Sequence, residues 1–246
     1  MPPLALTGER TLPDIPEENY WFRRHLAVYE WIGARTIGRD VVDLACGEGY
    51  GADVIARGAR SVVGVDANPE AFEHARRRYT RDNLSFARGP VETWSRKCDA
   101  VAFLQTIEHV HDPDAVLDHI AWMLRPGGTL YLTTPNLLTL APPGAEKSEN
   151  PWHLREYRAE ELRALCARHF RDVELRGLFH ARRLRVHGWA LRAGWDRVHV
   201  ALGVTEPFYD RFTPAISARD FALKTGGGGW GTGLDQALDF LAVCRT

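Results

Sequence analysis

The sequence predicts one α/β domain: a mostly parallel seven-stranded sheet with helices on both faces. Three observations predict it. Short apolar runs alternate with amphipathic helical stretches from residue 41 to residue 179, the pattern that parallel β-α-β units require. The first run breaks into three closely spaced glycines in "VVDLACGEGYG" (41–51), a strand-to-helix turn. A later helical stretch stops at "RPGG" (125–128), where Pro126 blocks continuation and Gly127 and Gly128 permit a turn into "TLYLTTP".

The elements follow in order. After a start punctuated by Pro2, Pro3, Pro13 and Pro16, residues 18–37 carry Trp21, Leu26, Val28, Trp31 and Ile32 at helical spacing, which predicts an N-terminal helix. A strand at 41–45 leads to a helix at 50–58, a strand at 61–66 to a helix at 69–80, and a strand follows at 84–89. A strand at 100–105, a helix at 113–124 and a strand at 129–135 carry the sheet onward, and a helix at 158–169 precedes a strand at 173–179. "LDFLAVCR" (238–245) is the seventh strand. The Arg- and Trp-rich stretch 180–220 and the glycine-rich "TGGGGWGTG" (225–233) are too small for a second domain, so 180–233 is expected to be an inserted lid hinged at 226–229. The plan is a single domain: an N-terminal segment and helix (1–37), a core (41–179), the insertion (180–233) and a last strand (238–246).

Composition sets limits. With 246 residues, 45% of them hydrophobic, the chain can bury one sizeable core. Its 31 Lys and Arg nearly balance 32 Asp and Glu, which argues against a nucleic-acid partner. Cys46, Cys98, Cys166 and Cys244 are far apart and form no CxxC pair, so they are expected to be reduced core residues of a cytoplasmic protein. No charged leader precedes an apolar run and no stretch of about 18 apolar residues occurs, so neither secretion nor a membrane span is expected.

The glycine loop raises the question of its ligand. Gly47, Gly49 and Gly51 follow a strand at the edge where open α/β sheets bind nucleotides, yet Asp43 and Glu48 surround them. NAD would need a G-x-G-x-x-G spacing and a place for its pyrophosphate, which these acids repel. S-adenosylmethionine fits better, because it carries an ammonium and a sulfonium and no phosphate. Asp66, ending "VVGVD" ahead of Ala67, is then placed to accept the ribose hydroxyls. Cys46 reads as a small packing residue, and Glu92 in "GPVETW" either approaches the adenine or is a solvated loop acid.

These residues resemble a known family. "VVDLACGEGYG", "VVGVDANPEAFEHAR" and "CDAVAFLQTIEHVHDPDAVLDHIAWMLRPGGTLYLTTPN" look like the successive motifs of class I S-adenosylmethionine-dependent methyltransferases, in that family's order over 41–136. The resemblance implies a Rossmann-like class I methyltransferase sandwich and that methyl donor. "LTGERTLPDIPEENYWFRRH" (6–25), "NPWHLREY" (150–157) and "GLFHARRLR" (177–185) resemble mycobacterial-type sugar O-methyltransferases, which implies a sugar or glycoside acceptor. Relatives often carry an Asp after the third strand to meet the adenine amine. Pro90 stands there in this chain, so backbone groups or Glu92 have to substitute.

The chemistry is expected beyond the fourth strand, in "QTIEHVHD" (105–112). A sugar hydroxyl is a poor nucleophile at neutral pH, so methyl transfer needs a base or a metal that lowers the hydroxyl pKa. In small-RNA and quinone methyltransferases of this class, an equivalent Glu-His pair helps to hold a divalent ion. The resemblance therefore implies a cluster of Glu108, His109 and His153 around Mg²⁺ or a similar ion, with Glu156 as a supporting or alternative ligand and Gln105 beside the cofactor, where some relatives have a third acidic ligand. A metal-free His109 base, and His153 as a mere helix cap, are the alternatives. The N-terminal helix and the 180–220 insertion are expected to wall the acceptor site, with Trp152, Trp189, Trp195, Phe208, Tyr209 and Phe212 as stacking faces for sugar rings. Three readings follow: a sugar O-methyltransferase, an O-methyltransferase for a small phenol or quinone precursor, and an idle binding protein that keeps the fold.

Overall fold

A computed structural model describes residues 4, 11–142, 144–225 and 233–246. The glycine hinge expected at 226–229 lies outside the described residues. Helix α1 (Asn19–Gly33) turns Phe22, Leu26, Tyr29 and Ile32 inward, the spacing of a single helix face. The β-α alternation then runs through β1 (Asp40–Leu44), α2 (Tyr50–Ala56), β2 (Ser61–Asp66), α3 (Pro69–Arg78) and β3 (Leu84–Arg88). Asn68 starts α3: its Oδ1 accepts the backbone N–H of Glu70 at 3.0 Å and of Ala71 at 2.9 Å, and Pro69 follows with its φ already helical. Next come β4 (Cys98–Leu104), α4 (Pro113–Met123), β5 (Leu124–Pro135), the short α5 (Leu137–Leu140), α6 (Ala159–Ala167) and β6 (Asp172–His180). The helix ends at Met123 ahead of Pro126, but β5 begins at Leu124 rather than Thr129, and "RPGG" is carried in it as an irregularity with Gly127 at φ 75°.

The insertion holds α7 (Arg182–Arg192), α8 (Trp195–Ala201) and α9 (Thr205–Phe212), followed by β7 (Phe221–Thr225) and β8 (Asp239–Arg245). The sheet therefore has eight strands, not seven, in the order β3-β2-β1-β4-β5-β8-β6-β7. The first five are parallel, whereas β8 runs antiparallel between β5 and β6 and β7 pairs antiparallel with β6 at the edge. The missed strand is "FALKT". Only Phe221 in it is fully buried, so it lacks the apolar run that marks the central strands.

One core lies under α4 and α6, and a second lies under α1, α2 and the start of α7. The order of strand addition reverses between β1 and β4, parallel neighbours in the sheet whose carboxyl ends open on the same edge. That crevice is where an open α/β sheet places its ligand. Among the described residues no helix is long and apolar enough to cross a membrane.

Candidate active site

The loop after β1 separates its three glycines by role. Ala45 and Gly47 take left-handed backbone, at φ 57° and 55°, and Gly49 opens α2 at φ 96°. A Cβ added to Gly47 would meet nothing within 4 Å, so this residue borders open space. On Gly49 it would lie 2.8 Å from Cβ of Ala75, so that glycine lets α3 pack against the loop. On Gly51 it would lie 2.1 Å from Cζ of Tyr29, so Gly51 makes room for the ring of α1.

The acids around the loop also divide. Asp66 accepts the backbone N–H of Gly47 at 2.7 Å and of Asn68 at 2.8 Å, which ties the ends of β1 and β2 together. Ala67 lies exposed beside it, and Glu92 is exposed on a single turn after Pro90. Asp43 is buried; its Oδ1 accepts the Tyr29 hydroxyl at 3.3 Å and its Oδ2 has no partner among the described residues. Burial pushes its carboxyl up to about 8. Glu48 turns toward α3, where His74 and the Tyr79 hydroxyl reach it at 2.9 and 2.7 Å, so it holds that helix in place. Burial raises its carboxyl above the ordinary value. Burial also raises the Cys46 thiol far above its usual range, consistent with packing and not with nucleophilic attack. Asp43, with one buried carboxyl oxygen unpartnered among the described residues, and Gly47, which borders open space, suit a ligand that brings hydrogen-bond donors.

Beyond β4, Gln105 sits at φ 50° and its side-chain amide donates to Oγ1 of Thr133 at 3.1 Å. The next turn is stitched to the segment around residue 153: the carbonyl of Glu108 accepts the N–H of Leu154 at 2.8 Å and of Arg155 at 3.2 Å. His109 Nδ1 lies 3.0 Å from the carbonyl oxygen of Trp152. A carbonyl can only accept, so Nδ1 is the donor, and in the neutral ring the lone pair is on Nε2. His153 is set in the same tautomer, because Nδ1 donates to Oε1 of Glu156 at 2.7 Å and the amide of Asn150 stands 3.0 Å from Nε2. The structure thus brings Glu108, His109 and His153 together, each offering a ligand atom within 4.8 Å of the others.

Charge follows from burial here. Glu108 is pushed up to about 8 by desolvation, and its Oε2 has no partner among the described residues. Glu156 is also raised by burial, but hydrogen bonds from Ser148 and His153 outweigh this and leave it below the ordinary carboxylate value. It acts on the cluster through His153. His153 does not cap α6; that helix starts at Arg158, whose N–H is held at 2.8 Å by the side chain of Glu161.

A cavity of about 350 Å³ opens over the cluster. Trp21, Arg24 and His25 of α1 form one wall and Gln105, Asn150 and Asp239 are among the other lining residues, with a smaller cleft of about 80 Å³ beside the glycine loop sharing Thr11, His25 and Gln105. Arg24 and Asp239 form a buried bidentate pair, both contacts at 2.6 Å. Burial pushes His25 down to about 4, so it stays neutral at physiological pH. Asp239 and Asn150 were not foreseen; an acid opening an otherwise apolar last strand was the available signal for Asp239. The insertion expected to wall the acceptor site does not reach this cavity: among the described residues, none from 180–220 lines it. Trp195, Phe208, Tyr209 and Phe212 instead pack with His187 and His199 into a small core of the insertion, the His187 and Phe212 rings 4.5 Å apart. Trp152 and Trp189 are exposed.

Comparison with known proteins identifies the family. Residues 16–187 match the family described as a methyltransferase domain. The chain is similar to a probable S-adenosylmethionine-dependent methyltransferase of Mycobacterium tuberculosis, 39% identical over 248 residues, which cover 98% of this chain and 89% of that protein. A probable S-adenosylmethionine-dependent methyltransferase of Mycolicibacterium smegmatis is 44% identical over 181 residues, covering 72% of this chain and 69% of that one. In three dimensions it resembles an S-adenosylmethionine-dependent methyltransferase of Thermotoga maritima described as a possible histamine N-methyltransferase, with a TM-score of 0.60, 18% identity and 93% and 94% of the two chains covered. That likeness concerns the fold alone. A family match over most of the sequence, and a relative matched nearly end to end, give the glycine loop and its acids their setting: the chain belongs to the S-adenosylmethionine-dependent methyltransferases.

Proposed function

We propose that this enzyme methylates a hydroxyl of a sugar, on a glycan or a glycosylated small molecule, with His109 as the base. The observation that carries the reading is the juxtaposition, in one cavity, of an oriented imidazole pair with Arg24, Asp239, Asn150 and Gln105. Such a lining offers both donors and acceptors to a polyhydroxylated ring, and Trp21 adds an apolar face. When bound, S-adenosylmethionine supplies an electrophilic methyl carbon on a sulfonium. Nε2 of His109 would take the proton of the acceptor hydroxyl, making its oxygen the nucleophile toward that carbon, with S-adenosylhomocysteine as the leaving group. Asp66, Gly47 and Asp43 hold the donor's polar groups, while Gln105 lies on the border between the two clefts. The remaining contacts proposed for Gly49, Ala67 and Glu92 are backbone approach and adenine recognition.

Glu108, His109 and His153 also fit a divalent cation, which would supply Lewis acidity toward the acceptor hydroxyl. Two imidazoles and one carboxylate suit Mn²⁺ or Zn²⁺ better than the all-oxygen preference of Mg²⁺. The test uses labelled methyl donor with oligosaccharides and with catechols, before and after EDTA. Glycan turnover that falls about 10²-fold or more in His109→Ala is the expected result. Loss of activity in EDTA restored by Mn²⁺ would add the cation to the mechanism. Turnover of catechols and not of glycans would overturn the sugar assignment.

A further inference from the structure

The outer surface of the insertion is left unexplained by the active site. Trp189 of α7, Val200 of α8 and Leu202 just after it are 59%, 65% and 66% exposed, and Val186 and Val198 are exposed as well. Water-facing surfaces scatter such residues singly. Here they gather on two helices joined by Ala193 and Gly194. Over residues 182–202 the chain carries five arginines (182, 183, 185, 192 and 197) and one acid, Asp196, although its formal net charge is −1. All five arginines are exposed. Next to this surface lies an open apolar groove of about 610 Å³, lined by Trp195, Val204, Phe208 and Phe212 and flanked by Arg183 and Arg211.

Exposed tryptophan and branched aliphatics set among arginines match the composition of helices that lie in a bilayer interface. The apolar groups enter the acyl boundary and the guanidinium groups stay at the phosphates. A second copy is a poorer occupant, because a symmetric contact would oppose these arginines to themselves with few acids to offset them. We propose that α7, α8 and the adjoining groove dock this enzyme on an anionic phospholipid bilayer. The position suits that role. α7 begins just after His180, whose ring meets the Tyr20 hydroxyl at 2.7 Å, and Tyr20 packs edge-on against Trp21 at the cavity wall. Docking there brings the active-site region close to the bilayer surface, whichever acceptor is used.

Sedimentation of the full chain with phosphatidylcholine vesicles, with and without phosphatidylglycerol, tests the proposal. Binding is expected only where phosphatidylglycerol is present, and it should weaken as salt is raised. The triple variant Arg185→Gln/Arg192→Gln/Arg197→Gln should lose about 100-fold in partition, about fivefold per arginine. Trp189→Ser/Leu202→Ser should abolish binding with its melting temperature and S-adenosylhomocysteine affinity kept, which separates docking from folding and from the active site. Failure of both vesicle types to pellet the protein would overturn the proposal. So would pelleting that these variants leave unchanged, or a dimer in gel filtration that Trp189→Ser abolishes, which would give the face to a second copy of the chain.

Discussion

Asp43 and Glu108 each bury a carboxyl with one oxygen unpartnered among the described residues, and burial pushes both up to about 8. Their ordinary values are 3.8 and 4.5, so between those values and about 8 the folded chain binds more protons than the unfolded one. The resulting stability is full below the unfolded values and is lost as pH rises through the folded ones. The ligand-free protein should therefore show a melting temperature that falls from about pH 5 to about pH 8. Asp43→Asn and Glu108→Gln remove the titrating groups and should each flatten that slope. Melting curves with the same slope in both variants as in the parent would exclude this pair as its source. A bound cation favours ionised Glu108, so it should also reduce that residue's share of the slope.

At the scale of elements, the glycine loop gives a direct comparison. Gly51→Ala drives a methyl group toward the Tyr29 ring, whose nearest atom would lie 2.1 Å away, and should cost about 1–3 kcal/mol of stability with little change in cofactor affinity. Gly47→Ala meets no neighbour but places a side chain at φ 55°, so it should cost about 1 kcal/mol in stability and weaken S-adenosylhomocysteine binding more strongly. Thermal melting with calorimetry separates the two, and the opposite ranking would reverse the assigned roles. The sequence showed the loop, but it could not distinguish a glycine that admits a ligand from one that admits a helix. That difference depends on Tyr29, about twenty positions away and brought in by packing. Glu108, His109 and His153 were legible through the family resemblance, supported by strand ends that recur at one edge of a parallel sheet. Asp239 was obscured because β8 enters between β5 and β6 antiparallel, which moves its first residue, not its last, to the ligand edge.

For the whole molecule, stability is distributed unevenly, and this can be measured. Strands β4 and β5 are buried along most of their length, whereas α7 buries only Leu184, α8 only His199 and α9 none of its residues. The insertion is held by its own aromatic core around His187. A unit with a small separate core opens at less cost than the sheet it stands on. Amides of residues 182–212 should therefore exchange together and about 100-fold or more faster than those of β4 and β5. If the insertion also serves as the expected lid, a bound acceptor should slow that exchange even though none of residues 180–220 lines the described cavity. Exchange as slow as that of the central strands, with or without acceptor, would show that the insertion is part of the rigid core and would remove both its independence and its role as a lid.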